Sequence, residues 1–361
     1  EFVIFFGTSP VEANFGPPYL SNLINSNIVK GQLKIVVVDP RFSKTAAKAW
    51  KWLPVKPGSD AALTYAIIRW LIENEGFNKK YLGNSNKGAA KAKDETTWSN
   101  ASYLVKIEDD GPGTFLRASD IGSGSKDQFV AMRNGNPVVF DPNDENQVVN
   151  GDLFYDGNIG KFKVKTAFQL LKEYAFSKSL EQWAYEAGID KENIIEVAKE
   201  FAKHGKKSVA DLYRGAVQHT SGYYNAQAII TLNLLAGNGD WKGGLTAGGS
   251  HWHEDGSKKG QPFNLVKELH PNKIKSFGHK ITREGSKYEE STYFQKEGYP
   301  SKRPWFPLTN NVYQEIIPSM QDGYPYKVKA LMTHKGTPVL SSPAGHKMIE
   351  ALVDLNKVPL Y

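Results

Sequence analysis

At 361 residues, with 40% apolar and 23% charged residues, the chain has the length of two ordinary globular domains and the composition of neither a disordered nor a membrane protein. It contains no cysteine, which excludes disulfides, thiolate zinc sites, a cysteine nucleophile and an iron-sulfur cluster bound within the segment. The formal charge of +7 suits an anionic substrate or an acidic cofactor, but the lysines are dispersed and no basic run is interleaved with aromatics, so nucleic acid is not an expected partner.

The chain opens on an apolar run, Phe2 to Phe6, read as a buried strand, followed by a Gly7-Thr8-Ser9-Pro10 loop, a helix from about Pro17 to Val29 and a second strand, Lys34 to Val38. This is a β-α-β unit. The second strand ends in Asp39-Pro40-Arg41, and its unbroken apolar character is that of a parallel strand covered on both faces. A short third strand, Leu53 to Val55, leads into Pro57-Gly58-Ser59-Asp60, with Asp60 placed to cap a helix over Ala61 to Asn74.

From about Gly83 to Lys163 the pattern changes to Gly, Asn, Asp and Ser with short alternating runs, including a hairpin from Phe129 to Phe140 folded over Asn134-Gly135. This stretch reads as an insertion. Helices are expected at Thr166 to Tyr174 and at Lys191 to Lys203, where Ile194, Ile195, Val197, Ala198 and Phe201 share a face before Gly205. A strand over Ser208 to Tyr213 and a helix from about Tyr223 to Ala236 flank Arg214-Gly215-Ala216-Val217-Gln218-His219.

Beyond Gly237 the chain is rich in loops, and a boundary is placed near 245. A strand over Val328 to Met332 and a helix from about Ala344 to Asp354 suggest that a second α/β unit has begun. The expected fold is therefore a doubly wound, mostly parallel, Rossmann-like α/β domain over 1–245, with a β-hairpin insertion at about 83–163, and part of a second α/β domain over 246–361. The strand that begins at once and the C-terminal Lys357 to Tyr361 make both ends look cut, so the chain reads as an interior piece of a larger enzyme. The longest apolar runs fall far short of the ~20 residues of a membrane-spanning helix, and no signal peptide opens the chain, so the piece itself is expected to be soluble.

Parallel sheets bind ligands at the carboxyl ends of their strands, where loops carry polar groups and helix N-termini face phosphates. Four such loops are available: Phe6 to Ala13, Asp39 to Ser43, Gly58 to Asp60 and Arg214 to His219. Asp39 has the place of the ribose-binding acid of a nicotinamide fold, yet the first loop offers one glycine, Gly7, where that fold needs three. A nicotinamide-dependent dehydrogenase is thus disfavoured. Singly, Asp60 is a helix cap, Gly58 a turn residue and Arg41 a solvated charge. Together they form a pattern too specific for turn chemistry, and the Asp60 carboxylate can pair with the two adjacent N–H donors of a guanine edge.

The stretches Val36-Val37-Val38-Asp39-Pro40-Arg41 with Thr45-Ala46, Val55-Lys56-Pro57-Gly58-Ser59-Asp60-Ala61-Ala62-Leu63, Arg214 to His219, and Asn233-Leu234-Leu235-Ala236-Gly237-Asn238 leading into Gly243-Gly244 resemble, in order and spacing, the molybdopterin oxidoreductases of the dimethyl sulfoxide reductase type. The resemblance covers most of the chain outside the insertion. Within the family, Arg214 to Gly222 with Asp240 to Gly244 look most like the large subunit of tetrathionate reductases, with arsenate, thiosulfate and polysulfide reductases as close competitors.

The resemblance implies a molybdenum or tungsten centre on two molybdopterin guanine dinucleotides. One of these would be lined by Gly7, Thr8, Ser9, Glu12, Asp39, Pro40, Arg41, Ser43, Gly58, Ser59 and Asp60, with Arg214 and Gln218 nearer the pterin and metal. It also implies an extracytoplasmic location, an iron-sulfur cluster and a metal ligand in parts of the parent not contained here, and partnership of an iron-sulfur electron-transfer subunit with a membrane anchor subunit. No catalytic residue is assigned within the piece. His251-Trp252-His253-Glu254 invites a metal reading, but loop histidines are more often ordinary hydrogen-bonding residues, and no protein-held metal is expected. His219, His251 and His253 are instead candidates to receive a small anionic sulfur or oxyanion substrate. The rival readings are a non-enzymatic nucleotide-binding module and the dehydrogenase using Asp39.

Overall fold

The two unbroken apolar runs near the start form adjacent strands of a parallel sheet. In the computed structural model, which describes residues 1–12, 20–246, 289, 292–299, 316–321, 323, 327, 329–333, 337–341, 345–356 and 360, β1 (Phe2–Phe6) pairs with β2 (Lys34–Val38) from Phe2 opposite Lys34 to Phe6 opposite Val38. The crossover between them is α1 (Leu20–Val29); the start expected at Pro17 lies outside the described residues. The third strand, β3 (Lys51–Leu53), stops two residues short of the expected Val55. Pro54 has no N–H to continue the ladder, and Val55 N turns back to Leu53 O at 2.8 Å.

Helix α2 spans Asp60–Glu73, so Ser59 occupies the cap position and Asp60 lies in the first turn, not at the cap where the sequence had placed it. The stretch that follows forms short helices α3 (Lys79–Leu82) and α4 (Lys87–Ala92) and a separate antiparallel sheet, β4 (Leu104–Glu108), β5 (Gly111–Phe115), β8 (Asp156–Ile159) and β9 (Phe162–Thr166), in the order β5-β4-β9-β8. The hairpin is present as β6 (Phe129–Arg133) and β7 (Asn136–Phe140), with Asn134 at φ +51° and Gly135 at φ +78°, the positive pair that a tight two-residue turn requires.

Helices α5 (Ala167–Ala175), α6 (Leu180–Ala187) and α7 (Lys191–His204) return the chain to the first sheet, where β10 (Ser208–Leu212) pairs in parallel with β1. The turn α8 (Arg214–Val217) and α9 (Gly222–Ala236) follow. The sheet order is β10-β1-β2-β3. Alternation puts Phe2, Ile4, Phe6, Val36 and Val38 on one face, buried with Leu63, Ile67, Leu71, Trp183, Val197, Phe201 and Leu232 of α2, α6, α7 and α9. Phe5, Ile35 and Val37 face the other way, against Ile24 of α1. Covering on both faces is why these strands carry no polar alternation.

The chain divides into two compact units, Glu1–Ser250 and His251–Tyr361. In the second, helices at Ile316–Gln321 and Gly345–Val353 enclose a small core of Ile317, Met320, Met348, Ala351 and Leu352. The strand expected over Val328 to Met332 is not one: residues 329–332 are coil. A strand needs successive bonds to a neighbour, and the backbone bond found there among the described residues is Leu331 N to Leu360 O at 2.8 Å. Among the described residues, the α/β character therefore rests on the first unit. No helix among the described residues is long and apolar enough to cross a membrane.

Candidate functional site

Because the chain runs β1, β2, β3 in one direction and then places β10 on the far side of β1, the sheet reverses its winding between β1 and β10. In open parallel sheets that point leaves a crevice outside the carboxyl ends of the strands. Two glycines meet there. Gly215 N donates to Gly7 O at 3.0 Å, and a Cβ on either residue would overlap the backbone of the other loop. Gly7 also has φ +57° and donates its own N–H to Val38 O at 3.0 Å, so the ends of β1, β2 and β10 are stitched into one rim.

Asp60 projects from the first turn of α2 into this region. It is 4% exposed, and its carboxylate has one side-chain partner among the described residues, Asn225 Nδ2 at a long 3.4 Å. Burial pushes its pKa up to about 6, with the Asp39 carboxylate adding to the rise and its own backbone N–H and His219 opposing it. An acid so placed keeps most of its acceptor capacity free while paying for desolvation. Ser59, at the cap position, makes no capping bond, so its hydroxyl has no side-chain hydrogen bond among the described residues. Asn225 was not foreseen from the sequence. Its carboxamide accepts from Ala61 N at 3.1 Å and donates to Ala216 O at 2.9 Å, which completes the start of α2 from a different helix.

The loops after β1 and β2 are joined to each other by side chains. Ser9 Oγ donates to Glu12 at 3.0 Å and lies 2.9 Å from Thr45 Oγ1, which also accepts from Val11 N at 3.2 Å. Arg41 donates to Glu12 Oε2 at 3.1 Å. The Ser9 hydroxyl first, then the Lys44 backbone N–H and Arg41, hold the Glu12 carboxyl below the usual range against the opposing effect of burial. Asp39 Oδ1 accepts from Arg41 N at 2.8 Å, Ser43 Oγ accepts from Ala46 N at 3.1 Å, and Pro40 is exposed between them. Thr8 is half-buried beside Gly7. The guanidinium of Arg41 is thus already paired, a fact that spacing alone does not reveal.

The loop after β10 presents Arg214, Gln218 and His219 as exposed side chains, with His219 Nε2 2.9 Å from Gly215 O. Ser221 Oγ donates to Gly58 O at 3.3 Å, where Gly58 holds φ +82°, so this loop is tied to the turn before α2. His251 and His253 lie outside the described residues. The structure therefore brings together four strand-end loops carrying one buried carboxylate with a single long side-chain contact, one hydroxyl, close glycine backbones and an exposed arginine. Such a donor and acceptor set fits a guanine base and a pyrophosphate: adjacent N–H donors for Asp60, backbone amides and a 14-residue helix N-terminus for the phosphates.

Fold and site define the class as an α/β protein with a crevice at the switch point of its parallel sheet. The chain belongs to the molybdopterin oxidoreductase family, whose model matches residues 1–359. It is 49% identical, over 100% of its length and 34% of the relative's, to a selenate reductase subunit of Mesobacillus selenatarsenatis. It is 36% identical to a tetrathionate reductase subunit of Archaeoglobus fulgidus, over 94% of this chain and 30% of the relative. It is 30% identical to the corresponding tetrathionate reductase subunit of Salmonella typhimurium, over 100% of this chain and 36% of the relative. The chain thus spans about a third of the length of these curated relatives.

Proposed function

We propose that this chain is the part of a molybdenum or tungsten reductase that holds the guanine dinucleotide of one of two molybdopterins, in an enzyme that delivers two electrons to a small anionic acceptor. The single observation that carries the reading is the buried carboxylate of Asp60, which has one long side-chain contact among the described residues and lies within electrostatic reach of Asp39 and His219 on the strand-end loops. Guanine presents N1–H and N2–H side by side, matched to two carboxylate oxygens; adenine presents a donor beside an acceptor and leaves one oxygen unpaired. Gly7 and Gly215 let the loops after β1 and β10 close on each other, Ser59 and the start of α2 donate to the pyrophosphate, and Arg214 with Gln218 orient the pterin. Asp39, tied to the Arg41 amide, is available to the ribose. When bound, the metal of such a cofactor supplies the two-electron chemistry.

The acceptor has two readings. The sequence pattern of Arg214 to Gly222 favours tetrathionate, in which two electrons break the central S–S bond and release two thiosulfates. The 49% identity to a selenate reductase subunit favours selenate, in which two electrons and two protons yield selenite and water. Both are dianions, consistent with the net charge of +7. Arsenate, thiosulfate and polysulfide remain competitors. The relatives are themselves subunits of larger assemblies, which supports partner chains. We take these to be a membrane anchor together with an iron-sulfur electron-transfer subunit, outside the cytoplasm. Metal analysis, GMP released by acid and acceptor assays on the full-length enzyme test this: metal with GMP upholds the cofactor, the faster acceptor decides between selenate and tetrathionate, and an enzyme without metal or GMP removes the proposal.

A further inference from the structure

We propose that Asn225 is a positioning residue of this site, locking the first turn of α2 to the loop after β10 so that Asp60 presents both carboxylate oxygens to the guanine edge. The inference rests on the cofactor reading above. Asn225 is fully buried on α9, and each polar atom of its carboxamide has a partner on a different element. Oδ1 accepts from Ala61 N at 3.1 Å; Nδ2 donates to Ala216 O at 2.9 Å and reaches Asp60 Oδ2 at 3.4 Å.

These three contacts join sequence-distant pieces. Ala61 and Asp60 open α2, whereas Ala216 belongs to α8, whose neighbour Gly215 touches Gly7. One side chain therefore fixes the distance between the guanine-facing carboxylate and the loop that carries Arg214 and Gln218. A purely structural helix tie would not need the third contact. It is that contact which orients one oxygen of Asp60, with the other unclaimed by any side chain among the described residues. The charged groups acting on Asp60 are Asp39 from the loop after β2 and His219 from the segment after α8.

The test uses the full-length, cofactor-loaded enzyme and reads GMP retained per polypeptide after equilibration across pH, with thermal unfolding in parallel. Asn225→Asp is isosteric and keeps the acceptor for Ala61 N, but it sets a second carboxylate against Asp60. Two such groups titrate as a pair with the upper pKa raised. The expected result is that the pH of half-retention moves up by about one unit or more. Asn225→Leu is expected to lower GMP retention about tenfold at neutral pH, by freeing Asp60 to turn away. If both variants lose thermal stability while the midpoint of GMP retention stays at the parent value, Asn225 is only a helix tie and the inference falls. Should Asn225→Leu fail to fold, the Asn225→Asp profile decides alone. A parent enzyme that carries no GMP would instead overturn the cofactor reading itself, so the two failures are distinguishable.

Discussion

At the scale of single residues, Asp60 costs the fold stability that the proposed guanine contact would offset. Its folded pKa of about 6 lies above the usual 3.8, so between those values the folded chain binds more protons than the unfolded one. Stability therefore falls as pH rises from about 3.8 to about 6, and the full penalty, on the order of 2–3 kcal/mol, is present at neutral pH. Asp60→Asn removes the charge at constant shape. Without cofactor it should melt higher than the parent at pH 7 and lose that advantage below about pH 4, yet the loaded enzyme should retain less GMP; a variant no more stable than the parent at pH 7 would contradict the burial argument. Gly7 makes the opposite kind of prediction. At φ +57°, with a Cβ overlapping the Ala216 amide, Gly7→Ala is expected to cost upward of about 2 kcal/mol in denaturant unfolding.

Among the elements, β10 is the edge strand of the parallel sheet, and its outer backbone groups are satisfied by carboxamides. Asn233 Oδ1 accepts from Ala210 N at 3.0 Å while its Nδ2 donates to Ala210 O at 2.8 Å, so one side chain imitates a neighbouring strand. Asn238 Nδ2 donates to Ser208 O at 2.6 Å and to Asn233 Oδ1 at 2.9 Å. Asn233→Leu should therefore destabilise by about 2–4 kcal/mol and speed hydrogen exchange at the Ala210 amide; exchange at the parent rate would exclude the edge lock.

The same elements explain what the sequence made legible. Phe2–Phe6 and Lys34–Val38 announced themselves because both faces are covered, and Asn134-Gly135 because a tight hairpin needs two positive φ angles. Strand β3 was displaced because Pro54 ends a ladder from within an apolar run. Helix α6 was missed although Ser179 and Gln182 form a reciprocal cap, since the window is short and half polar. The strand-end loops could be picked out by position, but their closure could not. Asn225 looks like an ordinary polar residue on a helix, and nothing local places it against Asp60, 165 residues away. The Arg41–Glu12 pair is hidden for the same reason.

For the whole molecule, the crevice between β1 and β10 is proposed to take a guanine dinucleotide; the curated relatives are about three times this chain's length. On the proposed function, the charge of +7 carried by this chain helps to attract an anionic acceptor, so turnover with selenate or tetrathionate is expected to weaken as ionic strength rises. Equal rates at low and high salt would remove charge from the account. The most direct measurement is the GMP and metal content of the full-length enzyme beside that of its Asp60→Ala variant, both checked for folding. The expected result is guanine nucleotide and molybdenum or tungsten in the parent, and a GMP content lowered by about half or more in the variant, one of the two proposed dinucleotides having lost its anchor. A parent without guanine nucleotide, or a folded variant retaining all of it, would contradict the claim.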